Sequence, residues 1–165
     1  MFARLFRAWF DMTKQAYHKF IKAMMENDLE IMNYYMNRVI QETFSYFDVG
    51  SGETGLEETE RFYHGFVLGL MAEQAENYVL KSNRESGFGR YDVMLIPKDR
   101  TRPAIVMEFK VFDGDEEQDL KDTVQAALKQ IEEKQYDTEL LALGFPKDHI
   151  RHYGFAFEGK KVLIG

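Results

Sequence analysis

The sequence predicts an α/β domain: a mixed central sheet flanked by helices, with a helical extension at the N-terminal end. Three observations carry that expectation. Apolar residues recur at helical spacing up to about residue 75, short strand-like apolar runs take over from Tyr78, and an amphipathic stretch separates the strands into two groups. Helix, three strands, helix and further strands is an order that builds a sheet covered by helices.

In the first region Phe2, Leu5, Phe6, Trp9 and Phe10 repeat at helical spacing, as do Phe20, Met24, Ile31, Tyr35 and Val39. Asn27-Asp28 interrupts the pattern, with Asp28 suited to cap the helix that follows. Gly50 to Gly55 is too glycine-rich for helix or strand and marks a turn. A further helix is expected from Glu57 to Ala75, with Phe62, Phe66 and Leu70 on its apolar side. This divides the chain into a helical segment over residues 1–50, packed on a core over residues 51–165.

From Tyr78 the expected strands are Tyr78 to Leu80, Arg90 to Ile96 and Ala104 to Phe112, with Ser82 to Gly89 and Pro97 to Pro103 as connections. Asp115 to Gln135 reads as a helix that turns Leu120, Val124, Ala127, Leu128 and Ile131 inward. Leu140 to Phe145, Tyr153 to Phe157 and Lys161 to Ile164 complete the set of strands.

Composition sets the limits. The 165 residues are 45% hydrophobic and 15% aromatic, enough for one domain with its own core and too much for a disordered chain. The absence of cysteine excludes disulfides and thiolate metal sites. No apolar run reaches the length of a membrane span, and Met1 to Phe10 has no signal-peptide core, so a cytoplasmic protein is expected. A net charge of −7 weighs against tight binding of nucleic acid by bulk charge, so any such contact rests on local patches, bound cations or a partner.

The chemistry concentrates on the third strand. In Ala104-Ile-Val-Met-Glu-Phe-Lys-Val-Phe112 only Glu108 and Lys110 are polar, which marks a strand buried on both faces. A period of two turns Ile105, Met107, Phe109 and Val111 to one face and Val106, Glu108, Lys110 and Phe112 to the other. Asp92, Met94 and Ile96 share a face of the preceding strand, and the short turn between the two strands suggests a hairpin that brings Asp92 beside Glu108 and Lys110. Two adjacent carboxylates repel, and a divalent cation resolves the repulsion. An Asp-Glu-Lys cluster then suits metal-assisted phosphodiester hydrolysis, with Lys110 orienting water or stabilising negative charge. The plain alternative is a buried ion pair with no chemistry.

The order of these elements resembles the PD-(D/E)XK nuclease superfamily, with a restriction-endonuclease-like fold. Ser82-Asn-Arg-Glu-Ser-Gly-Phe-Gly-Arg-Tyr-Asp92, Glu60-Arg-Phe-Tyr-His-Gly65 and Leu128-Lys-Gln-Ile131 resemble more narrowly one bacterial and archaeal family within it. The resemblance spans about residues 15–165. It implies Asp92 and Glu108 as metal ligands, Lys110 as the motif lysine, His64 as a further ligand and Gln130 as support for the lysine or the phosphate. Glu60, one turn before His64, competes with it for the ligand role, and Gln130 also reads as a plain surface residue. Arg84 and Arg90, in a connection with glycines at 87 and 89, either contact phosphate or pair with acidic neighbours. His18, His149 and His152 show no metal spacing.

The expected activity is Mg²⁺- or Mn²⁺-dependent nuclease action on DNA, with RNA as the alternative polymer. A non-catalytic nuclease-fold module of a larger assembly is the competing function. In the family resembled, an AAA-ATPase-like domain usually precedes the nuclease-like one, so such a domain or partner is an expected companion; a homodimer is a further expected assembly, and a membrane is not an expected partner.

Overall fold

The computed structural model describes residues 15–16, 18–47, 65, 69, 74–85, 90–159 and 161–165. Helix α1 covers residues 18–26 and α2 covers Leu29–Phe47. The strands are β1 (Tyr78–Glu85), β2 (Arg90–Pro97), β3 (Ala104–Val111), β4 (Ile150–Glu158) and β5 (Lys161–Ile164). Helices α3 (Leu120–Glu133) and α4 (Tyr136–Ala142) lie between β3 and β4.

The five strands form one mixed sheet in the order β1-β2-β3-β4-β5. All neighbours are antiparallel except β3 and β4. A parallel pair needs a crossover, and α3 with α4 supplies it. The alternation expected along β2 and β3 is present. Val93, Leu95, Ile105, Met107 and Phe109 join Phe20, Met24, Met32, Met36 and Ile40 in one apolar cluster beneath α1 and α2. Met94, Ile96, Ala104 and Val106 face the other way and pack with Ile131, Leu140 and Phe145. The sheet therefore lies between two helical layers, and Asp92 and Glu108 belong to the α3–α4 side.

Asp28 caps α2 as expected, its Oδ1 accepting from the Ile31 N–H at 3.1 Å. The break at Asn27 also resets the helical phase. Ile31 consequently points outward, and Met32, Met36, Val39 and Ile40 form the buried stripe. Leu140 to Phe145, expected as a strand, is helical through Ala142 and then turns at Gly144. Leucine and alanine favour helix, and only Leu140 and Phe145 are buried there, so period alone could not separate the two states. Strand β1 extends through Glu85 into the expected connection, and α3 starts at Leu120 after Asp119 as its N-cap.

Two asparagines fasten α2 to the edge of the sheet. Asn37 Nδ2 donates to the Val162 carbonyl at 2.9 Å, and its Oδ1 accepts from the Val162 N–H at 3.0 Å. Asn33 does the same with Ile164, at 2.9 and 2.8 Å. Each side-chain amide thus stands in for a neighbouring strand's peptide group and seals part of an edge that would otherwise offer its backbone to other chains. Asn37→Ala is expected to lower stability by about 1–3 kcal/mol, from two hydrogen bonds of about 0.5–1.5 kcal/mol each. Amide exchange at Val162 should quicken in parallel; unchanged exchange there would count against the seal.

Helix α3 approaches the sheet closely over Gly154 of β4. A Cβ added there would lie 2.8 Å from the Val124 carbonyl oxygen, 3.2 Å from Ala127 Cβ and 3.3 Å from Leu128 Cγ. The missing side chain lets the helix descend onto the strand, and this seating sets the height at which the far end of α3 meets Asp92 and Glu108.

Candidate active site

Asp92 and Glu108 are direct partners across the antiparallel β2–β3 pair, as Arg90 and Lys110 are. Both carboxylates are buried, with 5% and 1% of their surface exposed. Side chains opposite each other on adjacent strands have Cβ atoms only about 4.5–5.5 Å apart. Two charges held so close inside a protein cost several kcal/mol apiece unless cations compensate them.

The groups that meet them come from the α3–α4 junction. Lys134, which caps the C-terminal end of α3, places its Nζ 3.4 Å from Asp92 Oδ2 and 3.7 Å from Glu108 Oε1. The Tyr136 hydroxyl donates to Asp92 Oδ2 at 2.5 Å. Between them Gln135 adopts a left-handed conformation (φ 56°), which breaks the helix and lets both neighbours reach the strands.

Lys110 shares a strand face with Glu108 but pairs with Glu117, on the segment leading into α3. Thr123 Oγ1 donates to Glu117 Oε2 at 2.5 Å and the Asp113 N–H at 3.0 Å. Burial works to raise the Glu117 carboxyl. The hydrogen bonds from Lys110, Thr123 and Asp113, with the Lys110 charge, outweigh it and hold the group below its usual range. A carboxyl depressed on folding contributes stability that is complete above its ordinary value of 4.5 and fades as the pH falls through the lower folded-state value. The stability difference between wild type and Glu117→Gln should therefore be largest near neutrality and shrink on acidification below 4.5, as denaturant titrations over a pH series would measure. A difference that grows on acidification would contradict this.

A cleft of about 340 Å³ opens beside this cluster, lined by Glu108, Lys110, Glu117, Asp122, Gln130 and Glu133 among others. The structure thus brings together Asp92 and Glu108, puts Lys110 one strand repeat away, and sets Gln130 on the same cleft. His64, like Glu60, lies outside the described residues. Arg84 and Arg90 occupy β1 and β2 opposite Tyr91 and Glu85, and their side chains lie outside the description. His152, given no role from sequence, pairs with Asp137 of α4 at 2.6 Å.

Sequence reasoning missed Lys134 and Tyr136. A signal for the first existed, since Lys134 follows Gln130 by four residues and so shares its side of α3. Tyr136 had none, because its placement depends on the turn at Gln135.

The donor set fits a hard divalent cation. Mg²⁺ and Mn²⁺ favour oxygen ligands, and Mg²⁺ typically takes one or two carboxylates, leaving its other positions to water and substrate phosphate. Among the described residues the grouping of candidate ligands does not reach three.

A family model described as the PD-(D/E)XK nuclease superfamily matches residues 58–165, and the chain belongs to that superfamily. Its five-stranded mixed sheet flanked by helices accords with the restriction-endonuclease-like fold. Helices α1 and α2 precede the matched segment yet contribute to the same apolar cluster as the sheet. No curated protein matches the chain. No helix of the described residues is long and apolar enough to cross a membrane.

Proposed function

We propose that this chain is a Mg²⁺- or Mn²⁺-dependent nuclease that hydrolyses phosphodiester bonds in DNA. The observation that carries the proposal is the pairing of Asp92 with Glu108, two buried carboxylates directly opposite each other beside a cleft. A docking surface has no use for such a pair, whereas phosphodiester hydrolysis needs a cation held at that kind of place.

Asp92 and Glu108 would hold the metal, with His64 as a further ligand. A bound cation supplies Lewis acidity there, stabilising the charge that develops on the phosphoryl oxygens. Lys110 would orient the attacking water, and Glu117 fixes where its ammonium rests. Gln130, lining the same cleft, would position the phosphate or the lysine. Arg84 and Arg90 would contact the phosphate backbone and locally offset the acidic net charge. Delivery of DNA by an AAA-ATPase-like domain or partner, self-association as a homodimer and a cytoplasmic location belong to the same proposal.

One observation favours a second reading, a nuclease-fold docking module. Glu117, Asp122 and Glu133 line the cleft with Glu108, and an acidic wall repels a phosphate backbone. Calorimetric titration of Mn²⁺ and Mg²⁺ into wild type and Glu108→Gln, followed by incubation with labelled single- and double-stranded DNA, separates the two. The nuclease requires metal binding that the substitution removes, together with metal-dependent cleavage by wild type. No metal binding by wild type would leave the docking module as the function.

A further inference from the structure

The ammonium of Lys134 lies within 0.3 Å of equidistance from the two carboxylates, 3.4 Å from Asp92 and 3.7 Å from Glu108. Those carboxylates belong to different strands and are themselves direct partners. A cation that addresses both from the α3–α4 side stands at the place where their negative potentials add. We propose that Lys134 is an internal counter-cation of the Asp92–Glu108 pair which a divalent ion displaces on binding, so that the α3–α4 junction governs metal loading. The proposal rests on the pair being a metal centre.

Charge arithmetic supports the exchange. The ammonium of Lys134 lessens the cost of burying the two carboxylates. A divalent ion in its place would bring one more positive charge to the same pair. Both cations beside the same two carboxylates would repel strongly, because Coulomb energies rise as the local dielectric falls. Lysine suits the part, being a compact charge on a flexible stem that can swing away without breaking a planar, bidentate contact as arginine would. Its place in the chain suits the part too. Lys134 follows the last residue of α3 and precedes the left-handed Gln135, so its movement leaves the body of the helix intact. Tyr136 remains on Asp92 Oδ2, keeping that carboxylate oriented while the ammonium departs.

The test is Mn²⁺ titration by calorimetry into wild type, Lys134→Met and Lys134→Gln, with thermal melts of each protein with and without Mg²⁺. Both variants should bind Mn²⁺ at least tenfold more tightly than wild type, melt lower without metal, and gain more from Mg²⁺ than wild type does. Binding in the variants alone would be the extreme of the same result. Equal or weaker binding in the variants, with wild type binding normally, would overturn the proposal and leave the metal centre standing. Absence of binding in all three would remove the metal centre, and the proposal with it. Should neither variant fold, the side-chain ammonium resonances of ¹⁵N-labelled wild type decide. An ion-paired lysine signal that shifts on adding Mg²⁺ supports displacement, and a spectrum indifferent to Mg²⁺ overturns it.

Discussion

Glu108→Gln is expected to lower the proposed metal-dependent DNA cleavage by about a thousand-fold or more, because it would remove one of the two carboxylates proposed to hold the cation on which charge stabilisation depends. The melting temperature of the metal-free protein should stay level or rise. Glutamine keeps the shape of the side chain, and neutralising one of two facing carboxylates relieves their repulsion. The opposite pattern defines a purely structural role. If Glu108 served only as an ion-pair partner of Lys134, neutralising it would weaken that pairing, lower the melting temperature and leave metal affinity untouched. Cleavage rates and melting curves on the same preparation therefore distinguish a site designed for a cation from an ion pair that merely survives burial.

Gly154→Ala is expected to destabilise the protein by about 1–3 kcal/mol, the usual cost of overpacking. At this chain length each kcal/mol lowers the melting temperature by about 2–4 °C. The new methyl would meet the Val124 carbonyl at 2.8 Å, and backbone cannot rotate aside as a side chain can. Helix α3 would have to lift, taking Gln130 and Lys134 with it, so metal affinity should change alongside stability. A melting temperature within one degree of wild type, on the same scale of about 2–4 °C per kcal/mol, would show that the helix rides higher than its distances imply.

How much of this could be read from the sequence follows from which contacts are local. The pairing of Asp92 with Glu108 was legible because two period-two strands joined by a short turn leave few ways to align. The burial of β3 was legible because seven of its nine expected residues are apolar. Lys134 and Tyr136 were not, since their approach to Asp92 depends on one left-handed residue, Gln135, and on a helix whose leucines read equally well as a strand. Lys110 illustrates a different limit. Period placed it correctly on the Glu108 face, but the carboxylate it meets, Glu117, comes from a turn whose path no periodicity describes. The part played by Asn33 and Asn37 was not legible either, because a helical pattern does not say where a sheet ends.

Those two asparagines behave like the pins of a plug. Four residues of helix advance about 6 Å and two residues of strand about 6.6 Å, so side chains at 33 and 37 can engage 164 and 162 together with little mismatch. One pin would fix how far α2 lies along β5 while leaving it free to swivel; the second removes the swivel. Losing either asparagine therefore turns a fixed joint into a pivot, and losing both releases it. The cost of the double substitution should differ from the sum of the single ones, with the difference measuring how strongly rotation and translation of the helix are coupled.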